Sequence, residues 1–429
     1  MNFFFIIWFL SSLVFSQRFF VISDVHLDVH YNSSYDTSFH CHSTRHVESS
    51  YIPTPTNNSK IYGRLGCDSP KSLLKSALEE MRLIDPSPDF LVLLGDSVSH
   101  YAMHLLNNEN EIDVNYNKYL VRQTIVDLTN LVEEFFPETQ IIQAIGNNDG
   151  YERYQAPSGR EGAEYLEFLY ELWKPSAIEI SGSFYDGGYY RSFTGSGYHI
   201  LALNTNYLSS QSERKEESLE QLEWLRDEVE ESDGDVIILL HIPPGFSMYD
   251  GGEQGWHEDY SKIFFDIVEN NARKIKYILS GHRHLGSFKV IPNATVPFIV
   301  NPAISPIFFN NPSFRYFNES DYTDFIFNLY DEAPKWKKEY SFKEFFNLEG
   351  LDFIQAYLEL ESDDDLLEKF LSHSRGLSNV KTLSRDQLWT IETGGNHTEI
   401  PDTLRRVVLC SMKTFDQVHF NLCKNNENI

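Results

Sequence analysis

Side chains that bind metal ions or transfer protons follow five apolar runs of the chain, at the point where each run ends. Their types are carboxylate, amide and imidazole, which together suit Zn, Fe or Mn better than Ca. Two carboxylates, an amide oxygen and several imidazoles are enough ligands for two ions, so the sequence predicts a two-metal site. The five groups are Asp24-Val25-His26, Gly95-Asp96, Gly146-Asn147-Asn148-Asp149, His241 and Gly281-His282-Arg283-His284.

The spacing within these groups indicates how they share the ions. Asp24 and His26 are two residues apart, and alternation along a strand predicts that both side chains face the same ion. His282 and His284 have the same spacing and are expected to reach a pair of ions from one turn. Asp96 is expected to bridge the two ions.

The elements that must position these residues alternate between strands and helices. Apolar runs such as "DFLVLLGD" and "DVIILLH" are typical of buried parallel strands, and helical patterns lie between them. This alternation predicts parallel βαβ units, and open α/β sheets bind ligands at the C-terminal ends of their strands. The five groups are therefore expected to meet at one edge of the fold.

The composition excludes some classes of partner. The chain has 429 residues, of which 41% are hydrophobic, enough for one large domain or two smaller ones. Its 35 Lys and Arg against 63 Asp and Glu give a formal net charge of −28. Such a charge repels nucleic-acid backbones and anionic membrane surfaces. We expect a monomer with no nucleic-acid partner and no stable membrane span.

The N-terminus predicts entry into the secretory pathway. Residues 1–16, "MNFFFIIWFLSSLVFS", are apolar but short for a bilayer span, and we interpret them as a cleaved signal peptide. An uncleaved anchor is the alternative, because no Lys or Arg precedes the apolar run. We expect a secreted protein or one of a lysosomal or vacuolar lumen. Sequons for glycosylation occur at Asn32, Asn57, Asn293, Asn318 and Asn396.

Four cysteines form two local sets. An even, sparse count in an oxidising compartment predicts two disulfides. Three pairings are possible, and we favour the local ones, Cys41 with Cys67 and Cys410 with Cys423. A cysteine-bound zinc is the alternative, which the absence of a CxxC pair disfavours.

The pattern changes after about residue 335. Residues 336–429 are predicted to form an acidic helical subdomain that carries no catalytic constellation and is closed by the Cys410–Cys423 pair. Residues 17–335 then form the domain that carries the five groups.

The ordered set DxH, GD, GNN, H and GHxH resembles the calcineurin-like metallophosphoesterase family over about residues 18–310. The stretches "CDSP", "GDSVSH", "HIPPG" and "SPIFFNNPSFRYF" are similar to the acid sphingomyelinase-like phosphodiesterase branch, without a saposin domain. The resemblance implies an α/β fold. The expected fold is a four-layer sandwich of two β-sheets flanked by helices, with a C-terminal helical subdomain.

The resemblance also implies a role for each matching residue. A hydroxide between the ions would attack phosphorus, and His100 would protonate the leaving oxygen or stabilise its charge. A purple acid phosphatase would have Tyr at the position of Ser99, so we favour two Zn²⁺ over Fe or Mn. The ligands implied for one ion are Asp24, His26, Asp96 and His284, and those implied for the other are Asp96, Asn147, His241 and His282.

Asn148 departs from the family pattern, because most members have histidine there. Asparagine can donate a hydrogen bond to a phosphoryl oxygen but cannot deliver a proton. Three interpretations stay open. His100 is the sole acid, or the leaving group needs no proton, as in endopolyphosphatases that resemble this chain in their GNND motif, or the site binds phosphate without cleaving it.

The sequence thus predicts a secreted binuclear zinc phosphodiesterase with His100 and Asn148 as catalytic residues. It would cleave phosphodiester or phosphoanhydride bonds of a small substrate such as a nucleotide, a phosphocholine lipid or polyphosphate. The alternatives are an endopolyphosphatase-like enzyme and a phosphate-binding protein with an impaired site. We also expect Asp149 to orient a histidine, Arg283 to point away from the ions, and Asn204 to cap a loop.

Overall fold

A computed structural model describes residues 17–35, 41, 60–105, 111–177, 179–213, 216–249, 251–318, 321–377 and 400–425. The predicted signal peptide and the sequons at Asn57 and Asn396 lie outside these residues. Of the remaining sequons, Asn293 and Asn318 are exposed and Asn32 is half-buried.

Twelve strands of the described residues form two six-stranded sheets. The first sheet has the order β12-β11-β10-β1-β2-β3 and the second β4-β5-β6-β7-β9-β8. The strands are β1 Arg18–Ile22, β2 Phe90–Leu93, β3 Gln140–Gln143, β4 Tyr190–Phe193, β5 His199–Ala202, β6 Val236–Leu239, β7 Ile275–Ser280, β8 Ser287–Lys289, β9 Phe298–Val300, β10 Ser313–Asn318, β11 Asp321–Phe327 and β12 Trp336–Ser341.

Helices cover the outer faces of both sheets and make up most of the C-terminal part. They are α1 Lys71–Ile84, α2 Val114–Phe135, α3 Gly159–Trp173, α4 Phe184–Gly187, α5 Glu216–Glu231, α6 Glu258–Asn270, α7 Phe342–Phe346, α8 Phe353–Ser362, α9 Asp364–Ser374, α10 Asp402–Lys413 and α11 Gln417–Lys424.

Alternation along the strands produces the four layers. In β1 and β6, Val21 and Leu239 face the core between the two sheets. Phe20 faces the opposite way and packs with α1 and α2, and Ile238 packs with α5 and α6. Both faces of each central strand are buried, which explains why these strands are continuous apolar runs. The predicted sandwich of two sheets flanked by helices is confirmed.

The sheets are mixed, whereas the sequence indicated parallel units alone. Strands β1, β2 and β3 are parallel, as are β5, β6, β7 and β9. Strand β10 returns antiparallel to β1, and β11 and β12 continue the first sheet outward. The second half of the aromatic stretch "FFNNPSFRYF" belongs to β10, whose residues are mostly buried.

A buried arginine joins the two sheets. Arg315 of β10 donates from Nε and Nη2 to the carboxylate of Asp324, at 2.6 and 2.8 Å. Its Nη1 reaches across to the carbonyl of Val300 in β9, at 3.3 Å. The guanidinium also lies 4.0 Å from the ring centre of Tyr322. The two sheets are thus joined by a hydrogen bond as well as by apolar contacts.

The C-terminal helices begin at Phe342, after β12 has completed the first sheet. They pack on the edge of the second sheet, where Lys289 of β8 donates to the carbonyls of Phe246 and Ser411 at 2.9 and 3.1 Å. Phe246, in the loop after β6, stacks on Phe420 of α11. This part of the chain therefore supports a loop of the predicted site, although it contributes no ligand to it.

Both favoured disulfides are present. Cys41 is bonded to Cys67, and Cys410 to Cys423. The first bond holds the segment before α1, and the second joins α10 to α11. A search of the described residues finds no helix long and apolar enough to cross a bilayer.

Candidate active site

The first predicted ligands lie in the loop after β1. This strand ends at Ile22, and both Asp24 and His26 have left-handed backbone, with φ of 49° and 44°. The predicted cause of their proximity, alternation along a strand, is therefore wrong. The loop brings them together, with Nε2 of His26 3.9 Å from an Asp24 carboxylate oxygen. Such backbone is rare in residues other than glycine and is concentrated at functional sites.

Asp96 and Asn147 follow β2 and β3 in two loops that touch. A Cβ atom on Gly146 would lie 2.0 Å from the backbone nitrogen of Asp96, so only glycine permits this approach. The Asp149 carboxylate accepts the N–H groups of Asp96 and Gly146, at 2.9 and 2.8 Å. Asp149 therefore orders the backbone of both loops, whereas we had expected it to orient a histidine.

The second sheet contributes three imidazoles. His241 follows β6, and His282 and His284 follow β7 with left-handed backbone, φ 70° and 59°. The carboxylate of Asp24 accepts the N–H of His282 at 2.8 Å, which ties the loop after β7 to the loop after β1. The C-terminal ends of strands from both sheets thus meet at one edge.

The predicted ligands converge on one carboxylate oxygen. Oδ2 of Asp96 lies 3.4 Å from Nε2 of His26 and 3.3 Å from Nε2 of His241. Nε2 of His26 is 3.1 Å from Nε2 of His284, and Nε2 of His241 is 2.9 Å from Oδ1 of Asn147. Asp96 therefore stands between two groups. Possible ligand atoms lie within 4.8 Å of one another in the sets Asp24, His26, Asp96; Asp96, His241, His282; and His26, His100, His284.

The hydrogen bonds of two histidines show that these residues fit metal ions. Nδ1 of His26 is 2.9 Å from the carbonyl of Val98, and Nδ1 of His241 is 2.7 Å from that of Leu94. A carbonyl can only accept, so Nδ1 carries the proton and a neutral ring has its lone pair at Nε2. When both rings are neutral, their lone pairs face the Asp96 carboxylate, which is also an acceptor. Acceptors that converge in this way fit a metal ion between them, because an ion would replace the proton that must otherwise lie there.

Burial sets the protonation of the imidazoles. It lowers the pKa of His26 to about 4 and, with neighbouring cations, holds the pKa values of His282 and His284 well below their ordinary value. These rings are therefore neutral and able to bind a metal in mildly acidic as well as neutral solution. Burial opposes protonation of His241 too, but the Asp96 carboxylate raises the pKa of His241 to about 9. Positive charge is thus favoured beside Asp96.

Asn148 contacts the same carboxylate. Its backbone N–H donates to Oδ1 of Asp96 at 2.8 Å, and its side-chain Nδ2 donates to Oδ2 at 2.7 Å. Its own Oδ1 is buried without a hydrogen-bond partner among the described residues. The side chain thus orients Asp96, a contact that the residue type alone did not predict.

His100 lies at the mouth of the site, with its side chain 12% exposed and its ring stacked on His26 at 3.8 Å. Nδ1 of His100 is 3.0 Å from one carboxylate oxygen of Asp68, and the backbone N–H of His100 donates to the other oxygen at 2.8 Å. Ser305 also donates to Asp68, at 3.0 Å. Although burial favours a neutral Asp68, the charge and hydrogen bonds of His100 lower the pKa of Asp68 to about 2. A carboxylate at Nδ1 leaves Nε2 as the nitrogen that can exchange a proton.

Sequence reasoning missed two residues of this mouth. Asp68 belongs to the "CDSP" stretch and follows a disulfide-bonded cysteine, a signal that pointed to the segment but not to the carboxylate's role. Phe308 is 48% exposed, and its ring centre lies 4.6 Å from that of His284 and 5.6 Å from that of His100. It was grouped with an aromatic stretch that is otherwise mostly buried.

Two other expectations can be compared with the geometry. Arg283 points to Glu253, with Nη1 3.2 Å from a carboxylate oxygen, and so turns away from the ligands as expected. Asn204 accepts the N–H of Asn206 at 3.2 Å and caps a short 3₁₀ turn, as predicted.

Known proteins resemble the chain over most of its length. A family profile described as calcineurin-like phosphoesterase matches residues 17–286, which include all seven predicted ligands. Acid sphingomyelinase-like phosphodiesterase 3b of Mus musculus is 28% identical, over 82% of this chain and 81% of that protein. Sphingomyelinase phosphodiesterase C of Dictyostelium discoideum is 27% identical, over 82% and 84%. Cyclic GMP-AMP phosphodiesterase SMPDL3A of Bos taurus is 26% identical, over 79% and 78%.

Proposed function

The chain belongs to the calcineurin-like phosphoesterase family, and from this premise we propose that it is a two-metal phosphodiesterase. Its substrates would be small molecules that contain a phosphodiester or phosphoanhydride bond. The relatives are named for sphingomyelin and cyclic GMP-AMP, both phosphodiesters, which supports this class.

The convergence of acceptor atoms around Oδ2 of Asp96 is the observation that carries the proposal. The Nε2 atoms of His26 and His241 lie 3.4 and 3.3 Å from that oxygen. We assign Asp24, His26, Asp96 and His284 to one ion and Asp96, Asn147, His241 and His282 to the other. The nitrogen and oxygen donors fit Zn²⁺, and Fe or Mn would accept the same set.

When bound, two such ions would lower the pKa of the attacking water and neutralise phosphoryl oxygens. The protein's own part is to orient the ligands and to handle the leaving group. Asp149 and the left-handed loops hold the ligands in place before substrate arrives, which limits the reorganisation needed during reaction. Asp68 holds His100 by Nδ1, so that Nε2 can donate a proton to the leaving oxygen.

Asn148 cannot supply a proton to the leaving group. Its Nδ2 is 2.7 Å from the Asp96 carboxylate, so the side chain is engaged with a ligand. This contact supports the interpretations in which His100 is the acid or the leaving group needs none. We therefore propose that Asn148 orients Asp96 and that His100 transfers the proton.

We also propose a location in the secretory pathway, either outside the cell or in an acidic lumen. The two disulfides and the exposed sequons at Asn293 and Asn318 support it, because disulfides persist in oxidising compartments. The lowered pKa of His26, about 4, would keep that ligand neutral in such a lumen.

A substrate panel tests the proposed activity. Protein purified without chelator would be assayed on bis(4-nitrophenyl) phosphate, sphingomyelin, cyclic GMP-AMP, ATP and polyphosphate, in acidic and neutral buffer. We expect metal-dependent cleavage of at least one, abolished by chelator and restored by Zn²⁺. His100→Ala should be strongly impaired and Asn148→Ala less so. Absence of cleavage throughout the panel by metal-loaded protein would contradict the proposal.

An endopolyphosphatase-like enzyme is the second candidate, and Asn148 is the observation that favours it. A phosphate leaving group needs no proton at neutral pH, so a site with a single acid would suffice. The same panel separates the candidates, because this one predicts faster cleavage of polyphosphate or ATP than of bis(4-nitrophenyl) phosphate. Binding of phosphate with two metals but no cleavage would instead indicate an impaired site.

A further inference from the structure

A cation at the mouth of the site has no role in the activity proposed above. Arg153 is exposed and lies in the loop after the ligand Asn147. Within the part of the chain that the structure describes, no ion pair joins it to a carboxylate, whereas Arg283 is paired with Glu253 at 3.2 Å. A cation without such a partner is notable in a chain with 63 acidic and 35 basic residues.

The guanidinium of Arg153 lies over the ring of Tyr154. The guanidinium carbon lies 5.5 Å from the Tyr154 ring centre, and that ring is 5.8 Å edge-on from the ring of His282. Tyr154 has left-handed backbone, φ 61°, and its N–H donates to the carbonyl of Asn147 at 3.2 Å. The strained residue is therefore attached to the ligand loop, and it holds the cation one ring away from a ligand.

We propose that Arg153, held by Tyr154, is a specificity-determining residue that binds a second anionic group next to the scissile phosphorus. Linked phosphates carry such a group, whereas phosphocholine esters carry a cation in that region. Arginine forms paired hydrogen bonds to phosphate, and the contact would therefore favour nucleoside polyphosphates or polyphosphate over choline lipids. This inference rests on the proposed phosphodiesterase activity and specifies its substrate.

Competition by AMP and ADP tests the inference, because the two ligands differ by one phosphate. Their inhibition constants would be measured against bis(4-nitrophenyl) phosphate hydrolysis for the wild type, Arg153→Gln and Arg153→Lys. Arg160→Gln is the matched control, since Arg160 is an exposed arginine of α3 with its side chain 93% accessible. In the wild type we expect ADP to bind roughly tenfold tighter than AMP, as for a hydrogen bond between charged groups.

The expected result is that the preference for ADP disappears in Arg153→Gln, is partly kept in Arg153→Lys and is unchanged in Arg160→Gln. The KM for bis(4-nitrophenyl) phosphate should stay within about twofold, because an exposed arginine contributes little to a substrate that lacks the second charge. An unchanged preference in Arg153→Gln, or equal weakening of AMP and ADP, would overturn the inference. If no substrate is cleaved, the proposed function fails, and calorimetric binding of AMP and ADP still decides the role of Arg153.

Discussion

The two sheets make different contributions to the proposed metal centre. The loops after β1, β2 and β3 supply both carboxylates and the amide oxygen, together with His26. The loops after β6 and β7 supply imidazoles. The carboxylates carry the negative charge, and Oδ2 of Asp96 lies 3.3 Å from His241 across the boundary between the sheets.

In the proposed assignment each ion takes ligands from both sheets. His284 of the second sheet completes the set of Asp24, His26 and Asp96, and the first sheet supplies Asp96 and Asn147 to the set of His241 and His282. The complete site therefore requires the two sheets to be packed against each other. Metal binding should therefore stabilise the sandwich, because ligand binding to the folded state alone adds to its stability.

Removing the shared carboxylate should have the largest effect. We expect Asp96→Asn to lower kcat by at least about 10³-fold, because the neutral amide cannot neutralise two ions whose effect on the barrier is several kcal/mol. The measurement is the rate on the best substrate of the panel. His241→Asn, on the second sheet, should also reduce the rate but leave one ion bound. If Asp96→Asn keeps more than a tenth of the activity, the two halves do not share that carboxylate.

Removing the buried arginine that reaches from the first sheet to the second should be next in size. Arg315→Met leaves the buried Asp324 without its partner and should reduce the free energy of unfolding by about 3–5 kcal/mol. Denaturant unfolding measures this, with exposed Arg160→Met as the control expected to change little. The double variant Arg315→Met/Asp324→Leu should recover most of the loss, and failure to do so would show that the pair is not the cause.

A substitution beside the loops of the first sheet should reduce activity without loss of metal. Asp68→Asn removes the carboxylate that positions His100, and we expect kcat to fall about 10- to 100-fold, as for other partners that orient a functional histidine. Metal content should remain that of the wild type, and the alkaline side of the pH–rate profile, where a proton donor loses its proton, should shift to lower pH. Loss of metal in this variant would instead make Asp68 part of the ion site.

The contribution of Lys289, in β8 of the second sheet, to the free energy of unfolding should depend on pH. Burial and the positive charge of Arg283 lower the pKa of Lys289 to about 7, whereas a lysine in the unfolded chain has a pKa of about 10.4. Between these values the unfolded chain binds a proton that the folded protein lacks. Stability relative to Lys289→Met should therefore rise with pH, by up to about 1.4 kcal/mol per unit above pH 7, and be constant below it. Urea unfolding of both proteins from mildly acidic to alkaline pH measures this difference, and a constant difference would contradict the lowered pKa.

Most of the candidate ligands on the two sheets could be predicted from the sequence. Asp24, Asp96, Asn147 and His241 each follow a long apolar run, and parallel strands deliver such residues to one edge. The candidate groups therefore followed from the order of residues along the chain, whereas their assignment to two ions came from the resemblance to a known family. The cause of the Asp24–His26 pairing was not accessible, because a left-handed loop and an extended strand can give the same separation.

Contacts between distant segments were beyond sequence reasoning for a related reason. Strand β10 pairs antiparallel with β1 across most of the chain, and nothing local in "SFRYFN" indicates that partner. Asp149 could have served either a histidine or the backbone, since a carboxylate accepts from both. Likewise Asp68 reaches His100 only through tertiary packing. The domain boundary at residue 335 stays a prediction, although β12 places residues 336–341 in the first sheet.

Metal content is the measurement that tests the central claim most directly. Protein purified without chelator would be analysed by inductively coupled plasma mass spectrometry beside Asp96→Asn and His241→Asn. A centre shared by both sheets predicts two equivalents of a transition metal in the wild type, one or fewer in each variant, and a higher unfolding temperature with metal than without. Two equivalents retained in both variants, or none in an active wild type, would contradict it.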